Sequence, residues 1–268
     1  MANMKQFGTV DGEMKERPKA AAFGIGGAGR NIISSFDRDK FSNIKIYEVG
    51  ELNRLNDFPS INIDKKDMKM AFNSELSSEV REKTISERSL SDKMKEFDIL
   101  YFLCGLGGDI GSWTSTVCCE LCKKYQVLTV ALFTTPFKNE NPSRVEFAGD
   151  TKEKIGDLAD ISVEFSNNKL LEINPYLSLK KAFSVMNDII SIPIEDINSV
   201  VTKNDIPILK DLCRHHEDFS IGVGYGKGRE KGIRAVNKAL RSPWLEKNDH
   251  DSIIAVVTKG KNSYEMDV

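Results

Sequence analysis

Residues 20–36, AAAFGIGGAGRNIISSF, and residues 97–113, FDILYFLCGLGGDIGSW, are built alike. Each is an apolar run of strand length that breaks into glycines and resumes as a helical pattern. The first holds Gly-x-Gly-x-x-Gly at Gly24, Gly26 and Gly29. A helix after each strand carries the chain back, so the strands are expected to run parallel. NIKIYEV (43–49), QVLTVALFTTPF (ended by Pro136) and DISVEF read as further buried strands. Helices are expected over about 29–36, 113–125 and 142–157, and a long one over 177–201 with Phe183, Met186, Ile189 and Ile190 on one stripe. A helix over 206–216, a strand FSIGVGYG, a helix over 230–240 and a strand SIIAVVT complete the pattern. Residues 50–90 are polar and poorly periodic, and read as a surface loop with a short helix in NSELSSEVREK. The fold class is therefore α/β, a doubly wound and mostly parallel sheet.

Composition narrows the function classes. The chain has 268 residues, 40% hydrophobic and 29% charged, as an ordinary globular protein does. A net charge of -2 gives no electrostatic case for nucleic acid. No apolar run approaches the roughly 20 residues of a membrane span. The first 19 residues, MANMKQFGTVDGEMKERPK, are polar and mixed in charge, which suits a loose arm and not a signal peptide, so the chain reads as cytoplasmic. Cys118, Cys119 and Cys122 crowd into VCCELC, with Cys104 and Cys213 elsewhere. Zinc needs four convergent ligands, and no second Cys or His pair has a suitable spacing, so these read as small buried apolar residues. His215 and His216, followed by Glu217 and Asp218, read as a solvated helix end.

In a doubly wound sheet the ligand lies at the carboxyl ends of the strands, where both glycine turns fall. The first turn alone suits either a dinucleotide's pyrophosphate or no ligand at all. Glu48, about 20 residues on, stands at the offset of a ribose partner for a dinucleotide. The second turn shifts the balance, because two anion seats on one sheet edge suit a mononucleotide's polyphosphate better.

The order of motifs resembles the FtsZ/tubulin superfamily, on the FtsZ side. GIGGAGRN looks like that family's first nucleotide loop, and GLGGDIGSW stands where the family carries GGGTGTG. LTVALFTTPFKNENPSR, SNNKLL and KAFSVMNDII resemble three further family motifs in the family's order, and the likeness runs from about residue 19 to 258. The resemblance implies a GTPase-type fold with a long central helix and a reduced C-terminal subdomain. It divides the chain into an arm (1–18), a nucleotide-binding domain (19–176), the central helix (177–202) and a truncated C-terminal subdomain (203–268). It implies phosphate contacts from Gly26, Gly27, Gly107, Gly108 and Gly111, sugar contacts from Glu140 and Arg144, and base contacts from Asn31 and Asn167. Phe183 would stack on guanine and Asp188 would accept from its amide edge. The implied cofactor is GDP or GTP, with magnesium left open. The implied partner is another FtsZ/tubulin-like protein, or a second copy in a dimer.

The departures are concentrated at the phosphate and catalytic ends. Asp109 and Trp113 replace glycines of GGGTGTG, and a carboxylate beside a triphosphate repels it unless a cation intervenes. Val49-Gly50-Glu51 replaces the family's Asn-Thr-Asp, and NSELSSEVRE replaces its glycine-rich third loop. The family's loop Asn-x-Asp-x-x-Asp serves the neighbour's nucleotide in a filament. Here TKNDIPILKD puts Lys203, Asp205 and Ile208 at those positions, with Asp211 a helical turn further on. An apolar Ile208 cannot polarise a water. The expectation is a guanine-nucleotide-binding protein with no catalytic residue of its own, a regulatory or structural partner in a division or cytoskeletal system. The alternatives are a GTPase completed by a partner's loop and a nucleotide-free scaffold. Arg30, bulky where the family is small, is expected either to meet Asp109 across the phosphate volume or to point to solvent.

Overall fold

The computed structural model describes residues 16–51, 58–73, 84–173, 176, 178–214, 219–245 and 255–256. Six strands form one all-parallel sheet: β1 (Ala20–Ile25), β2 (Ile44–Gly50), β3 (Ser60–Asn62), β4 (Ile99–Gly105), β5 (Leu128–Thr135) and β6 (Ile161–Ser166). Their order across the sheet is β3-β2-β1-β4-β5-β6, so the connection reverses direction between β1 and β4. Gly24 pairs with Glu48 on one side and Leu103 on the other, which puts the two glycine turns at one sheet edge.

Side-chain alternation splits the core into two layers. Phe23, Ile25, Leu100, Phe102 and Cys104 face one side, where α2 (Lys65–Asn73), α3 (Ile85–Met94), α4 (Asp109–Tyr125) and α5 (Pro142–Leu158) supply Met68, Leu90, Val117 and Ile155. Ala20, Ala22, Tyr101 and Leu103 face the other. There α1 (Gly26–Ser34), α7 (Leu179–Val200) and α8 (Ile206–Cys213) supply Ile32, Ile33, Met186, Ile190, Ile194 and Leu209. Both faces of β1 and β4 are covered, so these strands are apolar throughout. In the expected α7 stripe, Met186 and Ile190 are buried and Phe183 and Ile189 pack against the same layer. A short α6 (Asn167–Ile173) follows β6, and α9 (Lys231–Ala239) lies near the end of the described chain.

Two expectations are corrected. Residues 50–90 hold β3, α2 and α3, while most of NSELSSEVREK lies outside the described residues. The signal for α3 was present: Thr84 accepts from the Glu87 backbone N–H, and Glu87 accepts from that of Thr84, both at 3.1 Å. That reciprocal box starts a helix whatever the weak periodicity after it. FSIGVGYG is no strand of the sheet, since only Phe219 bridges it, to Val163. Its alternate residues are glycines and offer no side chains for a pleated face. Of SIIAVVT only Ala255 and Val256 are described, without regular structure, and His215 and His216 lie outside the described residues.

All five thiols are buried. Burial pushes Cys104 and Cys122 up to about 12 and Cys213 to about 11, so they stay protonated at neutral pH.

The approach of α1 to β4 allows no side chain at Gly29, where a Cβ would come within 2.0 Å of the Leu103 carbonyl oxygen. Gly27, two residues earlier, faces open space. Gly29→Ala should therefore destabilise by about 1–3 kcal/mol or more. Gly27→Ala should leave stability unchanged or slightly raised. Urea denaturation of the two variants checks the contrast.

Candidate functional site

The turns after β1, β4, β5 and β6 stand together at the carboxyl edge of the sheet, the edge at which doubly wound sheets form a crevice. The carboxyl edge at the reversal between β1 and β4 is where such sheets open for a ligand. Gly26 has φ 65° and Gly107 φ 85°, left-handed conformations that glycine adopts freely. A Cβ on Gly26 would lie 3.3 Å from the Gly111 nitrogen, so the two turns touch. The second turn is closed by Gly107 N–H donating to Ser112 Oγ (3.0 Å) and tied to β5 by Leu106 N–H to Thr134 O (2.9 Å). Gly108, like Gly27, has nothing within 4 Å of a would-be Cβ, and it caps the 17-residue α4. The amino ends of α1 and α4, at two touching glycine turns with open space over Gly27 and Gly108, form an arrangement suited to phosphate.

The turn after β5 adds a polar rim. Glu140 accepts from the Phe137 N–H (2.8 Å) and pairs with Arg144 Nε (3.3 Å). Arg144 also packs on the second glycine turn, since a Cβ on Gly107 would meet its Cγ at 2.7 Å. Phe137 and Phe183 meet edge to face with centroids 6.4 Å apart, which joins this rim to α7. Asn168, at the start of α6, accepts from the Lys138 N–H (3.0 Å) and fixes the rim to the end of β6. Asn167 beside it has a buried Oδ1 without a hydrogen-bond partner. Asn187 Nδ2 reaches the Asn31 carbonyl at 3.5 Å, so α7 meets α1 next to Asp188, whose side chain is exposed. Asn31 is exposed, and Phe183 and Glu140 are half-buried. The motifs TTPFKNENPSR and SNNKLL contain the two residues that position this rim, Phe137 and Asn168, but assign neither a role, because the Phe137–Phe183 and Asn168–Lys138 contacts join elements far apart in the chain.

At the phosphate end the expected pair does not form. Asp109 Oδ2 binds Lys65 Nζ at 2.7 Å, and that hydrogen bond holds the Lys65 ammonium above the usual lysine range. Arg30 neither meets Asp109 nor points to solvent. It is 8% exposed and donates to the Glu51 carbonyl at 3.0 Å. Its guanidinium fills the space where a Cβ on Gly50 would sit, so Arg30 and Gly50 are complementary changes. Trp113 is buried in the core layer under Lys65 and Lys69, whose ammonium groups lie 5.8 and 5.9 Å from its ring. Glu48 is 1% exposed and stands opposite Gly24, inside β2 and short of its end.

The loop over 202–211 stands at the opposite edge of the sheet. Lys203 Nζ pairs with Glu16 (2.6 Å) and lies 3.9 Å from Asp98, just before β4 begins. Asp205 is buried, and its Oδ2 accepts from both the N–H (2.8 Å) and the hydroxyl (2.6 Å) of Thr202. Ile208 is exposed. One copy of the chain cannot bring this loop to its own glycine turns. Among the described residues, no group of three or more His, Cys, Asp or Glu is placed to hold a metal ion. No helix there is long and apolar enough to cross a membrane.

The two neighbouring asparagines make opposite predictions in nucleotide-free protein. Asn168 holds the rim, so Asn168→Ala should cost about 1–2 kcal/mol through lost hydrogen bonds. Asn167→Ala removes an oxygen that bonds nothing, so its cost should stay below about 0.5 kcal/mol. Equilibrium denaturation of both variants distinguishes them.

No family model matches the chain. It is 30% identical over 244 residues to the cell division protein FtsZ of Aquifex aeolicus, covering 86% of this chain and 66% of that protein. The chain thus spans about two thirds of that relative's length. The empty FtsZ dimer of M. jannaschii superposes with a TM-score of 0.68 at 26% identity, over 85% of this chain and 70% of that one. CetZ of Methanosaeta thermophila shares the fold, with a TM-score of 0.61 at 17% identity over 83% of this chain and 66% of that one. With these matches and the all-parallel sheet carrying both glycine turns, the chain belongs to the FtsZ/tubulin superfamily.

Proposed function

We propose that this chain binds a guanine nucleotide in the crevice at the carboxyl edge and does not hydrolyse it alone. It would act as a regulatory or structural partner in a division or cytoskeletal system. The observation that carries the reading is the contrast between the two sheet edges. The glycine turns offer open backbone at Gly27 and Gly108, while Asp205, the one carboxylate between Thr202 and Leu209, is spent on the Thr202 cap.

The residues fit a purine nucleotide. Backbone N–H groups at Gly26, Gly27, Gly107, Gly108 and Gly111 would meet the phosphates, helped by the amino ends of α1 and α4. Glu140, already set by the Phe137 N–H and Arg144, would accept a sugar hydroxyl. Phe183 would cover one face of the base, and Asn31 would stand at its edge. Asn167 Oδ1, buried without a partner, would gain a donor. Asp188, exposed on α7, would accept the two N–H groups that distinguish guanine from adenine. Lys65 neutralises Asp109, which removes the repulsion that a lone carboxylate would exert on a triphosphate.

Hydrolysis needs a group that orients or deprotonates water near the terminal phosphate. In a head-to-tail stack the loop over 202–211 would face the neighbour's crevice. Lys203 is held by Glu16, Asp205 is buried and doubly bonded, and Ile208 is apolar. Releasing Asp205 would forfeit two charge-assisted hydrogen bonds, each worth about 1.5–3 kcal/mol.

Calorimetry should show GDP and GTP binding at least about tenfold more tightly than ADP and ATP, with Asp188→Ala removing about 10- to 100-fold of guanine affinity. Equal affinities for GTP and ATP would sink the base assignment. Purified protein with GTP and magnesium should release phosphate no faster than a buffer control. Sustained release by the chain alone would refute the non-hydrolysing role. Release only after adding a second FtsZ-like protein would favour a partner's loop completing the site.

A further inference from the structure

The segment 219–245 carries a surface unrelated to the nucleotide crevice. It is anchored to β6 at both ends, by the Phe219–Val163 bridge and by Trp244. Trp244 is buried against Phe165, with ring centroids 6.1 Å apart, and its carbonyl accepts from the Ile221 N–H at 3.3 Å. The extended run before α9 lies directly on the helix: Cβ atoms on Gly222, Gly224 and Gly226 would strike the carbonyl oxygens of Ala239, Ala235 and Lys231 at 2.6 Å or less. Two residues of extended chain rise about as far as four of helix, so the match repeats along α9.

With that side of α9 occupied, another side is left bare. No residue of α9 is buried. Ile233 is 63% exposed, Val236 58% and the following Leu240 60%, a stripe at helical spacing, and Tyr225 is 60% exposed. Within residues 227–241 the charge is one-sided: Lys227, Arg229, Lys231, Arg234, Lys238 and Arg241 stand with a single carboxylate, Glu230, in a chain whose net charge is -2. Arg234, Lys238 and Arg241 are exposed and make no ion pair among the described residues. Lys238 Nζ lies 4.4 Å and Lys227 Nζ 5.6 Å from the ring of Tyr225.

We propose that α9 and the run before it dock on an anionic lipid surface, with the helix lying in the interface and not crossing it. A nucleic acid would use the cations and leave the apolar stripe in water. A protein groove would take the stripe but needs no cations spread over fifteen residues. A bilayer surface takes both at once: Ile233, Val236 and Leu240 enter the headgroup boundary while the long basic side chains reach the phosphates. Mounted by Trp244 and the three glycines, the helix keeps its orientation and needs no folding on contact.

Vesicle co-sedimentation of the full chain tests this. Vesicles of phosphatidylcholine with about one third phosphatidylglycerol should bind at least about tenfold more protein than phosphatidylcholine alone, and less as salt rises. Arg234→Glu with Lys238→Glu should lower that binding by about tenfold or more. Val236→Ser with Leu240→Ser should lower it while every charge remains. All four positions are exposed, and thermal melts must match the wild type. Arg234→Gln with Lys238→Gln replaces the reversal if they do not. Equal binding to both vesicle types, or unchanged binding by the variants, overturns the proposal. A dimer in sedimentation velocity that Val236→Asp dissociates would give the stripe to a second copy and also overturn it. Protection of Val236→Cys from maleimide without lipid would give it to residues 246–268, with the same consequence.

Discussion

The closeness of α1 to β4 is the constraint on which the rest depends. Gly29 lies so near the Leu103 carbonyl that no Cβ fits, and Gly26 and Gly111 bring the two turns into contact. That contact sets where α1 and α4 begin. It leaves Gly27 and Gly108 facing outward, beside the strands where connectivity reverses. The rim from Phe137 to Arg144 is then fastened to the second turn by the packing of Arg144 on Gly107. The phosphate and sugar contacts proposed for a nucleotide are thus referred to one backbone approach that glycines alone permit.

The two edges of the sheet treat charge differently. At the carboxyl edge Asp109 is balanced by Lys65 and Glu140 by Arg144, and both pairs remain partly exposed. Exposed pairs of this kind contribute little to stability, so exchanging them for ligand contacts costs little. At the amino edge Lys203 is tied to Glu16 and Asp205 is sequestered beneath Thr202. Those groups serve the local fold. This contrast between the edges is what motivates proposing a nucleotide binder that does not hydrolyse alone.

The sheet was legible because β1, β4 and β5 are apolar on both faces, and the long helix because Phe183, Met186 and Ile190 recur at helical spacing. The region over 50–90 was not, because α2 buries only Met68 and Ala71, and the Thr84–Glu87 box signals a start and not a length. Lys65 was invisible as the counter-ion of Asp109, since 44 residues separate them and only the packing of α2 on α4 joins them. Arg30 misled for a related reason. Its bulk suggested a partner across the phosphate space, whereas the missing side chain at Gly50 had made room for it on the neighbouring strand. The likeness to FtsZ carried the candidate base and sugar residues, and spacing alone would not have joined Asn167 to Asp188.

The central claim is that the crevice holds a guanine nucleotide. Denaturing protein purified rapidly at low salt, and separating what it releases by ion-exchange chromatography with mass detection, tests it most directly. The account predicts GDP or GTP approaching one equivalent per chain, reduced in the Asp188→Ala protein. Release of an adenine dinucleotide, or protein free of nucleotide that also fails to take up GDP on incubation, would contradict it.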